Sequence, residues 1–398
     1  MNPKSCKFTS SQPFILYRKI TAEQIFTGYE MLPHPAVLIT DQHGTVTDLV
    51  DMADAGHGIE HFKGILSPGF INCHCHLELS HMKGMIPKHT GLVDFLIKVV
   101  EKREGNEAVI LHAIENAETA MWKNGIVAVG DICNTNYSIP QKTKGRLAYH
   151  NFIEAIGFPP AAAETRFLQA ETLFKQFAAS LPHQSIVPHA PYSVSLELLN
   201  KIISYPGNDL LTMHNQEAAA ENALFLKKEG DFLRLFEQLG IDAGSFKPSG
   251  TSSLQHVLPG FKNYRPLILV HNVFTSEEDI VFALSVFDHE PSSLYFCICA
   301  NANLYIGNQL PDISLFTKHQ CKMVLGTDSL ASNDQLSIME EIITLQKHFP
   351  QLAISELLQW ATINGANALG ISEIYGSFKK GKTPGVLQID GTTVNRII

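Results

Sequence analysis

The chain reads as an α/β protein, a (β/α)8 TIM barrel with a small β-sandwich built from both chain termini. Three observations point there. Eight short apolar runs recur through the middle of the sequence, with helical patterns between most of them. Both ends are strand-like, while the middle is not. Several of the eight runs end in histidine or aspartate. In a barrel the ends of the strands form the mouth where chemistry is done.

The N-terminal runs are Phe14–Tyr17, Gln24–Thr27, Ala36–Thr40 and Thr45–Val50, with a turn at Asp41–Gly44, and the last stretch, Gly385–Ile398, is strand-like too. The two ends are therefore expected to form one domain, residues 1–67 plus 371–398, around a barrel at 68–370. The eight barrel strands are Gly69–Cys73, Ile126–Gly130, Leu147–Ile156, Ser185–Pro188, Leu210–Met213, Leu267–Val270, Leu294–Cys299 and Lys322–Leu325. Each is apolar enough to be buried on both faces, as parallel strands are. Helical periodicity marks Val109–Lys123, Glu164–Ala179, Ala218–Leu239 and Ser276–Phe287, and closing helices are expected over 340–370. A doubly wound sheet is the competing reading, but it rarely needs eight strands, and no Gly-x-Gly-x-x-Gly follows the first.

Composition narrows the class. With 45% hydrophobic and 17% charged residues the chain can bury a large core, and a net charge of −9 argues against a phosphate backbone as partner. No apolar run is long enough for a membrane helix, and the first residues lack the apolar core of a signal peptide. The seven cysteines are odd in number and contain no Cys-x-x-Cys, so a reduced, cytoplasmic protein without a disulfide framework is expected. Eighteen histidines stand out, and most are expected to be ordinary surface residues.

The chemistry lies at the strand ends. The first barrel strand closes with His74-Cys75-His76. Residues i and i+2 of a strand share a side, so both imidazoles face the mouth, and two neutral imidazoles are half of a first-row metal site. The fourth strand leads to His189, the fifth to His214 with Glu217 three residues on, the sixth to His271 and the eighth to Asp328. Three neutral histidines and one aspartate around a divalent ion leave a single positive charge, enough to bring the pKa of a water toward neutrality. Glu217, near the mouth and not needed as a ligand, is the natural proton shuttle. His271 is then left to hydrogen-bond the nucleophile and the developing oxyanion.

These segments, with Asn301–Asn308 and Gly326–Asn333, resemble the amidohydrolase superfamily, in the branch of the cytosine, guanine, adenosine-type and aminodeoxyfutalosine deaminases and the triazine chlorohydrolases. The resemblance implies that His74, His76, His214 and Asp328 bind the metal, that Glu217 moves protons, that His271 polarises the water, and that His189 meets the substrate or supports the ligands. Some members hold two metals on a lysine at the end of strand four. His189 stands there instead, so one divalent ion is expected, zinc first with iron as the alternative, since three histidines and an aspartate do not separate the two. The resemblance also implies a homo-oligomer. Cysteines 73 and 75 replace the usual alanine or threonine, and the residues between His214 and Glu217 depart from the pattern in a way expected to alter the pocket wall.

The implied activity is hydrolytic deamination of an N-heterocycle, with Asp328 taking the proton of the attacking water. His76-Leu77-Glu78-Leu79-Ser80 followed by Phe95 looks most like the aminodeoxyfutalosine group, so an adenine-type nucleoside is the expected substrate. Relatives of that kind hold sugar hydroxyls on a carboxylate after strand one. Glu78, Glu101 and Glu104 are the candidates, the last two equally readable as solvated helix charges. Amide or carbon–chlorine hydrolysis at the same site, and a non-catalytic scaffold, are the alternatives. Gly376–Thr383 spells a phosphate loop, but a poor strand precedes it and Pro384-Gly385 blocks the helix that loop needs.

Overall fold

The structure, a computed structural model, describes residues 17–262, 266–287 and 293–398. The expected strand at Phe14–Tyr17 lies, but for Tyr17, outside the described residues. The chain opens with β1 (Arg18–Ile25), β2 (Ala36–Thr40), β3 (Val46–Asp51) and β4 (Ile59–Pro68). Eight barrel strands follow: β5 (Phe70–Cys75), β6 (Ile126–Cys133), β7 (Ala148–Ala155), β8 (Gln184–Pro188), β9 (Leu211–Asn215), β10 (Leu267–His271), β11 (Leu294–Ile298) and β12 (Lys322–Leu325). β13 (Val386–Asp390) and β14 (Thr393–Arg396) end it.

The terminal strands form one six-stranded sheet in the order β14-β13-β4-β1-β2-β3. β4 lies at its heart, parallel to β1 and antiparallel to β13. This ten-residue strand is the one that sequence reading passes over. Its Glu-His-Phe-Lys stretch is largely exposed, so no apolar run marks it. The sheet curls over Ile20, Leu38, Leu66, Phe378 and Val386, and the turn at Gly44 meets Ile398. The phosphate-loop look-alike serves this layer: Phe378 donates its backbone N–H to Thr27, and its ring joins the apolar cluster.

The barrel strands run parallel in two sets, β5-β6-β7-β8 and β9-β10-β11-β12. Two seams join them. At one, the His214 N–H donates to the His189 carbonyl at 2.9 Å. At the other, the N–H groups of Thr327 and Asp328 both donate to the His74 carbonyl at 3.0 Å, and Cys75 pairs with Asp328. Close approach here demands small residues. A Cβ on Gly326 would lie 2.8 Å from the His74 Cβ and 2.9 Å from the Cys297 sulfur.

The expected helix at Ala218–Leu239 is two helices, Ala219–Lys227 and Phe232–Gln238. Lys228 turns left-handed at φ 56° and Gly230 follows at 95°, so the backbone breaks although the apolar spacing continues. The break lets the second piece swing over the mouth. There Phe232, Leu235 and Phe236 join Leu92, Phe95 and Phe158 in an apolar cluster separate from the barrel core. No helix among the described residues is long and apolar enough to cross a membrane.

Beneath the mouth one ion pair is wholly buried. Lys142 Nζ sits 2.5 Å from Asp131 Oδ2 and donates to Asn151 at 2.8 Å. Burial pulls the Lys142 ammonium down, but Asp131 beside it holds it above its usual value. The other Asp131 oxygen accepts the Leu77 N–H at 2.8 Å, directly after His76. Removing one partner strands a buried charge. Lys142→Met should cost about 3–5 kcal/mol of unfolding free energy in urea titrations, and Asp131→Asn on top of it should recover part of the loss. A loss below about 1 kcal/mol would show that the pair is not structural.

Candidate active site

Four donor atoms converge where β5, β9 and β12 end. His76 Nε2 lies 3.2 Å from His74 Nε2 and 3.3 Å from His214 Nε2. Asp328 Oδ1 lies 3.5 Å from His74 Nε2 and 3.3 Å from His76 Nε2. A tetrahedron with metal–ligand bonds of ~2.0–2.1 Å has edges of about 3.3–3.4 Å, so the spacing fits a first-row ion. Burial drives His76 well below its ordinary pKa and His214 down to about 3, keeping the imidazoles neutral and their lone pairs available. The His214 Nδ1–H donates to the His189 carbonyl at 2.8 Å, which turns its Nε2 lone pair inward.

Three of the strands that lead into the site, β9, β10 and β12, end in strained backbone. Gln216, His271, Asn272 and Asp328 all have positive φ, 46°, 74°, 59° and 56°. Each is over-determined by hydrogen bonds, as such conformations must be. The Asn272 amide donates to the carbonyls of Leu269 and Cys297 and accepts from Asn215. Asp328 is pinned through its N–H, and its Oδ2 accepts from the Ser332 hydroxyl. The next layer out rests on Glu341. It accepts from Asn301 and Asn333 at 3.0 Å, while Asn333 also donates to the Thr327 carbonyl. Burial pushes Glu341 up to about 8.

Glu217 faces this cluster. Its Oε1 lies 3.7 Å from His271 Nε2 and is buried without a hydrogen-bond partner. Burial, with Asp328 and Glu221 nearby, raises its pKa well above the usual carboxyl value. His271 Nδ1 lies 2.9 Å from the Asn303 amide nitrogen; with that nitrogen donating, the imidazole proton falls on Nε2, the side toward Glu217. His189 stands beside His214, ring centroids 4.8 Å apart, with Nδ1 held by Ser193 at 2.7 Å. Burial lowers His189 to about 4.

The structure thus brings His76, His189, His214, Glu217, His271 and Asp328 to one chamber, with His74 fully buried behind them and its Nε2 3.2 Å from His76 Nε2. It does not bring Glu78 there. One oxygen of Glu78 takes Arg103 at 2.9 Å, and the other takes the N–H groups of Asn134 and Thr135 and the Thr135 hydroxyl. With its oxygens spent on the protein, Glu78 anchors the wall and is no hydroxyl receptor. Glu101 and Glu104 are exposed helix-end charges. Asn215 and Gln216 do not line the chamber. They tie the end of β9 to Asn272 and Asp279.

Sequence reading missed Arg103, Asn134 and Glu154, which do line the chamber. Glu154 ends the third barrel strand and so carried a positional signal, while Arg103 sits among helix charges and carried none. The remaining wall is apolar, chiefly Leu92, Phe95, Leu96, Val99, Leu235 and Phe236. The cavity measures about 1020 Å³, its open mouth included.

Ser332 fixes the aspartate that completes the donor set. Ser332→Ala should therefore weaken divalent-metal affinity about 10–100-fold in chelator competition, with little change in the fold. Unchanged affinity would free Ser332 of that role.

Residues 65–393 match the amidohydrolase family model. The aminodeoxyfutalosine deaminase of Nitratiruptor sp. is 26% identical, over 83% of this chain and 80% of that protein. The crystal structure of Helicobacter pylori aminofutalosine deaminase with methylthio-coformycin superposes with a TM-score of 0.78 at 22% identity, covering 94% of this chain and 92% of that one. An adenosine deaminase from Xanthomonas campestris with bound zinc follows at 0.68 and 20%, covering 93% and 83%. The family match spans most of the sequence, and the chain belongs to the amidohydrolase family.

Proposed function

We propose that the protein is a metal-dependent hydrolytic deaminase that removes the exocyclic amino group of an adenine-type nucleoside as ammonia, with aminodeoxyfutalosine the first substrate to test. The observation that carries this reading is the pairing of a four-donor cluster with a buried Glu217 whose Oε1 has no hydrogen-bond partner and lies 3.7 Å from His271 Nε2. The names of the relatives support it, all the more because the match runs through most of both chains.

His74, His76, His214 and Asp328 would hold one divalent ion, for which zinc suits the donor set. A second ion is not needed. The neighbouring group of Glu154, His189 and His214 shares His214, whose Nδ1 is committed to a carbonyl. The ion supplies Lewis acidity, which makes a water nucleophilic at neutral pH. The remaining work belongs to the side chains. Glu217, whose carboxyl is pushed toward the protonated form by burial, gives its proton to the ring nitrogen as the amino-bearing carbon is attacked. Asp328 accepts a proton from the attacking water. His271 Nε2–H hydrogen-bonds the oxygen as charge builds on it. As the tetrahedral centre collapses the C–N bond breaks: the proton held by Asp328 passes to the departing amino group, which leaves as ammonia, and Glu217 recovers its proton from the former water oxygen as that oxygen becomes the carbonyl. The apolar wall excludes bulk water and suits the faces of a heterocycle.

Glu217→Gln should lower kcat for ammonia release by at least about 100-fold while leaving metal content unchanged. Near-normal turnover in that variant would overturn the assignment. Removal of metal by a chelator should abolish ammonia release from aminodeoxyfutalosine, adenosine and S-adenosylhomocysteine alike, and zinc should restore it. Activity that survives complete metal removal would count against the whole reading.

A further inference from the structure

Away from the donor cluster, Glu217 and the histidines, the chamber carries one further strip of polar side chains, Arg103, Asn134 and Glu154. Glu154, at the end of β7, belongs to it, with a side chain only 3% exposed. Its Oε2 accepts from the Asn134 amide at 3.0 Å. The Asn134 carbonyl oxygen accepts in turn from Arg103 at 3.3 Å, and Arg103 is held by Glu78 at 2.9 Å. Three side chains thus brace one carboxyl group. Yet the oxygen they present, Glu154 Oε1, is buried with no hydrogen-bond partner.

The protein does not satisfy that oxygen. Its neighbour is His214 Nδ1 at 3.6 Å, too far for a hydrogen bond and already donating to the His189 carbonyl at 2.8 Å. A buried acceptor left without a donor is costly, so a donor from a bound molecule fits the site. The opposite wall, with Leu92, Phe95, Leu235 and Phe236, has no polar side-chain atom to offer and suits ring faces and apolar substituents. A ligand matching both sides has a hydroxylated edge and an apolar edge.

We propose that Glu154 Oε1 receives a sugar hydroxyl of the substrate. In this chain a carboxyl group from the third barrel strand, not one following the first, reads the ribose. The Glu78–Arg103–Asn134 chain is the brace that holds it. The proposal rests on the nucleoside reading of the site and adds to it a residue that determines specificity.

The test compares a ribonucleoside substrate with its 2′-deoxy and 3′-deoxy forms on the metal-loaded full chain. Two quantities are measured: kcat/KM, and the dissociation constant by calorimetry in the Glu217→Gln background. Loss of the hydroxyl that meets Glu154 should weaken both about 10–100-fold, as expected for a hydrogen bond to a charged acceptor. Glu154→Gln and Glu154→Ala should bring the ribonucleoside down to the level of that deoxy form and leave the deoxy form itself nearly unchanged. If both substrates fall equally, or if metal content falls with them, Glu154 serves His214 instead and the proposal is wrong. A wild-type protein indifferent to both hydroxyls overturns it as well. Hydroxyl-dependent binding that Glu154 controls, without ammonia release from any nucleoside, would keep this proposal and defeat the deaminase reading. Absence of nucleoside binding would defeat both.

Discussion

The backbone hydrogen bonds that close the barrel are made by the residues whose side chains form the donor cluster. His214 reaches the His189 carbonyl across one seam, and Thr327 and Asp328 reach the His74 carbonyl across the other. The two half-barrels can therefore meet only in a register that also sets the imidazole nitrogens 3.2–3.3 Å apart. That spacing is unfavourable on its own, because lone pairs face one another in a dry interior. The strand packing around it supplies the compensating free energy, through fully buried runs such as Phe70–Cys75 and Ile126–Cys133 at roughly 1.5–3 kcal/mol per large apolar side chain. A site of converging neutral donors and a closed parallel barrel are one structural event here.

Much of this was legible because strand periodicity and chemistry coincide. His-x-His at the end of an apolar run places two rings on one side whatever the neighbouring strands do, and the same logic located His214, His271 and Asp328. Four of the eighteen histidines, His76, His189, His214 and His271, line the chamber and His74 is packed against them, so position relative to a strand end was informative where abundance was not. What was not legible depends on contacts between distant segments. Ser332 and Asn303 lie inside recognisable motifs, but only the folded chain shows that one holds Asp328 and the other His271.

Glu78 is the instructive misreading. Proximity in sequence to His76 suggested proximity to the ligand. A short helical turn at Leu77–Met82 instead sends the side chain into the wall, where Arg103 and two backbone N–H groups consume it. The break at Lys228 was invisible for a related reason. Apolar spacing continues through it, while the positive φ that bends the chain answers to the cluster over the mouth. In both cases a local pattern competed with a tertiary demand and lost.

The terminal sheet has a bearing on synthesis. β4 pairs with β1 early in the chain, but its other edge is covered only by β13, through pairs such as Ile65 with Ile389. On the ribosome that edge stays open until almost the whole barrel has been made. An unpaired strand edge is a template for association with other chains. The exposed Glu60, His61 and Lys63 on β4 then acquire a second meaning. The stretch that waits for β13 is Ile65–Pro68, and the polar residues that hid this strand from sequence reading lie just before it, where charge beside an open edge discourages pairing with other chains.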